Sequence, residues 1–221
     1  MLIPIVTVVY IVNIFIGVLL TGMLARRYIK RGQVNKSALK FITYVGSLTL
    51  VWIAYTISDL INFVTDNNYF TPYFLADLTV FLVAYFIIDA GSYSQGSLRV
   101  GRLMKVVIII STVIFIVGRL SDLSPYETVV SGNYVYWKPP SGFSWELILM
   151  GVVSGFSTIY FAITFLWLGW KARNNEVVFW RSIALGIGML LLLLAADIFF
   201  LFGPPSFASV SISTIGAAFG S

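Results

Sequence analysis

The sequence predicts an all-α fold: a polytopic transmembrane helical bundle with six full spans, a short or truncated seventh, and an external β-hairpin between spans four and five. Three observations predict it. Hydrophobic residues make up 59% of the 221-residue chain and charged residues 10%, with a mean hydropathy of +0.94, whereas a soluble domain is about a quarter charged. Six apolar segments reach or approach the roughly 20 residues that a helix needs to cross the hydrocarbon core. Twelve of the 14 Lys and Arg residues fall in three short segments between those runs: Arg26 to Lys40, Arg99 to Lys105, and Lys171 to Arg181. Only Arg119 and Lys138 fall on the other side. Cytoplasmic connections carry the excess of basic residues, so this alternation predicts a multi-pass protein of the cell membrane with its N-terminus outside.

The first span runs from Ile5 to Ala25. Met1 to Pro4 carry no basic leader, so a retained helix is expected rather than a cleaved signal peptide. Basic residues bound the second span, Phe41 to Val64, on its inner side. The third and fourth spans, Phe70 to Ala90 and Leu103 to Leu120, are separated by the second basic segment. The long external connection from Ser121 to Ser144 then reads as a strand pair, because Thr128-Val129-Val130 and Tyr134-Val135-Tyr136-Trp137 are β-branched and aromatic around Ser131-Gly132-Asn133. The alternative is a solvated loop held by interfacial Tyr and Trp. Span five, Trp145 to Trp170, follows Ser144 as N-cap, with Glu146 at the favourable end of its dipole. Span six, Ser182 to Phe202, ends at Pro204-Pro205. Phe207 to Ser221 is the short seventh candidate, a truncated helix or a re-entrant piece. No repeat is evident, and the whole of residues 1–221 reads as a single domain.

Composition also excludes chemistry. The chain has no Cys and no His, which removes disulfides, thiol nucleophiles, iron–sulfur and imidazole ligation, and a histidine general base. No cofactor, no metal and no enzymatic activity are expected. The net charge of +5 follows from the positive-inside bias and requires no nucleic-acid partner.

Ionisable groups inside spans are costly and usually face a protein interior or an aqueous cavity. Asp59, Asp77 and Asp197 qualify, each roughly 8–10 Å below the outer boundary at a helical rise of about 1.5 Å per residue. Arg119 ends the fourth span, where its guanidinium can reach toward this layer and pair with a carboxylate. Trp52, Tyr55, Asp59 and Asn62 extend the polar surface along one face of the second span. The candidate ligand-binding set is therefore Asp59, Asp77, Asp197, Arg119, Tyr55 and Asn62. Three readings of the layer stay open: helix-to-helix glue, a ligand or cation pocket, and a proton relay. Gly151 and Gly155, Gly186, and Gly216 and Gly220 allow close helix contacts, within the bundle or with other transmembrane subunits. Spans six and seven lack the lysine of a retinal Schiff base.

The second half carries a resemblance. A hairpin from Thr128 to Trp137 precedes Gly142-Phe143-Ser144-Trp145; Tyr160 is followed by Lys171-Ala172-Arg173-Asn174-Asn175; Trp180-Arg181 opens span six, whose outer third carries Asp197. This layout resembles the seven-helix membrane sensor region at the N-terminus of some bacterial and archaeal histidine kinases. The resemblance implies a sensing portion that reads a ligand or membrane state at the outer pocket, with a cytoplasmic catalytic region elsewhere. The expected function is a receptor-like membrane sensor or ligand-binding domain. The alternatives are a non-catalytic accessory subunit of a larger membrane complex and a cation- or proton-coupled transporter, for which inverted repeats and broken helices are the missing signals. The lipid bilayer is the one partner the sequence requires.

Overall fold

Basic residues that interrupt the apolar runs do not end the helices. The computed structural model describes residues 3–31, 36–131, 134–138 and 145–201, and in it six long helices extend past the hydrocarbon-length segments: α1 (Ile5–Arg31), α2 (Lys36–Thr65), α3 (Phe70–Gln95), α4 (Leu98–Ser121), α5 (Trp145–Lys171) and α6 (Glu176–Leu201). All six are long and apolar enough to cross a membrane, which is the architecture of a multi-pass membrane protein. α4 begins at Leu98 rather than Leu103, and α6 at Glu176 rather than Ser182. The physical reason is the same in both. Charged residues are expelled from hydrocarbon but are good helix formers, so the helix continues into the polar zone. Asn175 starts α6 by accepting the Val178 N–H on its side-chain oxygen at 3.2 Å. The seventh candidate, Phe207 to Ser221, lies outside the described residues.

Chain order makes α1 and α2, α2 and α3, and α3 and α4 successive antiparallel neighbours, and α3 also packs on α5, which packs on α6. α3 is thus the central helix. Its Ala76, Ala84 and Gly91 are buried, and small side chains there let neighbouring helices approach closely. Phe161 of α5 packs between Phe41 and Tyr44 of α2, with ring centroids 6.5 and 5.2 Å away. On α1, Tyr10 stacks on Trp52 at 5.4 Å, while most of the span faces outward.

At one end of the bundle sits a small sheet. Strand β2 (Glu127–Ser131) pairs antiparallel with β3 (Tyr134–Lys138), with Glu127 opposite Lys138 and Ser131 opposite Tyr134. The chain start adds β1 (Ile3–Pro4), parallel to β3, a strand that the local sequence does not announce. Val135 and Trp137, two residues apart, share the face that packs on the helices, whereas Val130 is exposed. Thr128 reaches the α2–α3 turn through a 2.6 Å bond to Asn68.

The opposite end is closed by ions and a tight turn. Asp89 of α3 accepts Lys40 of α2 on one oxygen and Lys105 of α4 on the other, the latter at 2.6 Å. Gly96 ends α3 with φ of 76°, a left-handed conformation that glycine adopts without strain, and the Ser97 N–H then returns to the Ser92 carbonyl at 3.0 Å. Directly above, Gly101 of α4 lies so close to α3 that an added Cβ would collide with the Ser92 Cβ and Oγ. Gly101→Ala is therefore expected to destabilise the protein by about 1–3 kcal/mol through overpacking. Adding Ser92→Gly should recover most of that loss in a detergent melt, and equal melting of parent and Gly101→Ala would refute the close approach.

Candidate functional site: a crossed tyrosine–aspartate layer

Tyr55 and Asp59 on α2 are four residues apart, and so are Tyr73 and Asp77 on α3. Each pair therefore lies on one face of its helix. Because the two helices run antiparallel, the pairs meet in opposite order and cross. Tyr55 donates its hydroxyl to Asp77 Oδ1 at 2.6 Å, and Tyr73 donates to Asp59 Oδ1 at 2.6 Å. Both carboxylates and both tyrosines are buried. A hydrogen bond to a charged acceptor contributes about 1.5–3 kcal/mol, and a buried polar group left without one costs as much.

Each acid then recruits a further element. Thr7 of α1 donates to Asp59 Oδ2 at 2.9 Å. Tyr126, from the segment between α4 and β2, donates to Asp77 Oδ1 at 3.0 Å and stacks on Tyr73 with centroids 4.1 Å apart and planes at 14°. Tyr10 closes the group against Tyr55 at 5.9 Å. Two carboxylates thus hold α1, α2, α3 and the sheet-bearing connection together. Asp77 Oδ2 has no hydrogen-bond partner among the described residues. Tyr126 lies beyond the helices, and burial first, then the nearby Asp77, pushes its phenol well above the usual value.

Of the six residues singled out from sequence, the structure brings Asp59, Asp77 and Tyr55 into this one layer. Asn62 is placed elsewhere. Its side-chain oxygen accepts the Tyr69 N–H at 3.2 Å and closes the α2–α3 turn. Arg119 is fully buried beside the layer but forms no ion pair with a carboxylate among the described residues. Its guanidinium instead makes long contacts to the carbonyls of Asp122 (3.5 Å) and Ser124 (3.3 Å) and lies 4.9 Å from the Phe70 ring centre. Arg119 stands two residues before the end of α4, so its guanidinium meets the carbonyls of the connection that follows instead of pairing with an acid. Asp197 is on α6, and its side chain lies outside the described residues.

Thr7, Tyr10, Tyr73 and Tyr126 join the layer without having been among the six candidates. The repeated Tyr-x-x-x-Asp spacing was the available signal for Tyr73; Thr7 and Tyr126 carry none, since their contacts span 52 and 49 positions. Comparison with family models, with curated proteins and with solved structures returns no match to this chain.

At the edge of the site, exposed Asp122 accepts both the hydroxyl and the backbone N–H of Ser124 on Oδ1. These bonds, the hydroxyl's first, hold its carboxyl below the usual carboxylate range. A depressed folded-state pKa means that the turn is favoured above the ordinary carboxylate value and loosens as pH falls through the lowered one. Ser124→Ala should move the Asp122 titration upward toward the usual value in a carboxyl NMR titration; an unchanged midpoint would refute the contact.

Within the layer, Tyr55→Phe and Tyr73→Phe should each lower stability by about 1–3 kcal/mol by leaving a buried acid short of a donor. Asp77→Leu should cost more, and should be partly rescued when Tyr55→Phe and Tyr126→Phe are added, because the orphaned phenols are then gone. Thermal melts of this series, with no rescue in the triple variant, would show that the phenols are not Asp77's partners.

Proposed function

We propose that this chain is a non-catalytic, receptor-like sensing domain of the cell membrane, with the sheet end outside and the Lys- and Arg-rich end in the cytoplasm. The orientation rests on the distribution of basic residues. One observation carries the sensing reading: a single oxygen, Asp77 Oδ1, accepts hydroxyls from Tyr126 beside the sheet and from Tyr55 inside the bundle. A shift of the sheet that pulls on Tyr126 changes the same carboxylate that fixes α2 against α3, so the layer is a joint between an outer surface and the helices. The resemblance to histidine-kinase sensor regions supports the same reading, with the helices passing the change toward the cytoplasm. A layer filled by its own side chains also suits a purely structural acid pair, as in an accessory subunit.

Pairs of introduced cysteines in this cysteine-free chain separate the two. With spin labels at positions 99 and 173, Asp77→Asn should shift or broaden the distance distribution at the end opposite the sheet, under conditions where the variant remains folded. An unchanged distribution together with a lowered melting point would favour the structural subunit. Single cysteines at the same positions and at 130 test the orientation: an impermeant thiol reagent on intact cells should label position 130 and spare 99 and 173. The reverse pattern would overturn it.

A further inference from the structure

At the sheet end of the bundle, next to buried Arg119, a groove of about 780 Å³ runs along α4 beside the start of α5. Its floor is apolar. Val113 and Val117 lie four residues apart on one exposed face of α4, so the floor runs from the helix end into the membrane-crossing part. Gly118 lets the far wall close in, since a Cβ there would stand 2.6 Å from the Glu146 Cγ and 2.5 Å from the Trp145 ring. The end of the groove is acidic. Asp122 caps α4, and Glu146 lies in the first turn of α5. Glu146 is only 4% exposed, and its Oε2 has no hydrogen-bond partner among the described residues. Neither acid forms an ion pair among the described residues; Arg119 contacts backbone carbonyls and Phe70, and its charge is also felt at Asp122.

We infer that this groove binds a phospholipid with a primary ammonium headgroup, its acyl chain along Val113 and Val117 and its ammonium at Glu146 and Asp122. Three features select that chemistry. A buried acceptor without a donor calls for an N–H group, and a primary ammonium brings three whereas a quaternary choline brings none. An exposed Asp122 beside the buried Glu146 favours a cation. An apolar floor at membrane depth excludes a small polar amine and suits a chain. The site requires only that the chain reside in a bilayer, so it stands or falls separately from the sensing role.

Native mass spectrometry of the full chain in detergent, titrated with phosphatidylethanolamine or phosphatidylcholine carrying identical chains, tests this directly. The ethanolamine lipid should bind about tenfold more tightly, the ratio expected for one charge-assisted hydrogen bond. Glu146→Gln combined with Asp122→Asn should bring the two lipids to equal affinity, while Val117→Trp, on an exposed face, should weaken both. Equal binding of the two lipids to the parent, a preference that survives in the double variant, or binding of water-soluble phosphoethanolamine as tight as that of the lipid would each overturn the site. Should the double variant fail to fold, unaltered binding in Val117→Trp overturns it, and weakened binding of both lipids supports it.

Discussion

Two tyrosines and two aspartates, exchanged between antiparallel helices, fix the register on which the rest of this bundle depends. In hydrocarbon there is no hydrophobic force between helices, because lipid tails are as apolar as leucine, so packing and buried hydrogen bonds decide how helices meet. Tyr55 with Asp77 and Tyr73 with Asp59 leave little choice. A slide of α2 along α3 would break both bonds at once and strand two buried acids. The exchange thereby favours a single register at a position where apolar side chains alone would tolerate several.

The remaining elements attach to that register. α1 is held to Asp59 by Thr7, and the connection leading to β2 is held to Asp77 by Tyr126. Val135 and Trp137 then carry the sheet onto the helices. At the far end Asp89 gathers Lys40 and Lys105, again with α3 supplying the acid for its two neighbours. α3 is accordingly the common member of both polar clusters. Between them the buried residues are apolar, from Phe81 and Val83 through Ala84, Ile87 and Ile88 to Gly91 against Tyr160. A helix held at both ends by polar bonds is consistent with the proposed reading of the layer as a joint.

The spans were legible because their signals are local: long apolar runs and alternating charge. Helix starts at Ile5, Phe70 and Trp145 coincide with the edges of those runs, whereas Leu98 and Glu176 lie beyond them, since hydropathy marks the membrane and not the helix. In the layer, Asp59 and Asp77 were legible as costly charges, but their partners were not. Which tyrosine faces which acid depends on helix rotation, a quantity set by contacts between distant segments. Asn62 shows the same limit from the other side. It shares a helix face with Tyr55 and Asp59 yet serves the turn to Tyr69, because it stands one turn nearer the end of α2, within reach of the start of α3, where backbone N–H donors lack helical partners. β1 was invisible for a simpler reason: two residues hold no periodicity, and only the presence of β3 makes them a strand.

Backbone hydrogen exchange, followed by mass spectrometry in the parent and in Asp77→Asn, measures most directly whether this carboxylate joins the sheet to the helices. If it does, the variant will exchange faster both in β2 and β3 and in the turn of α2 around Tyr55, while α5 remains protected as in the parent. Faster exchange near Tyr55 alone, with the strands unchanged, would contradict the account, for it would mean that Tyr126 and the sheet are held by packing and that Asp77 joins only α2 to α3.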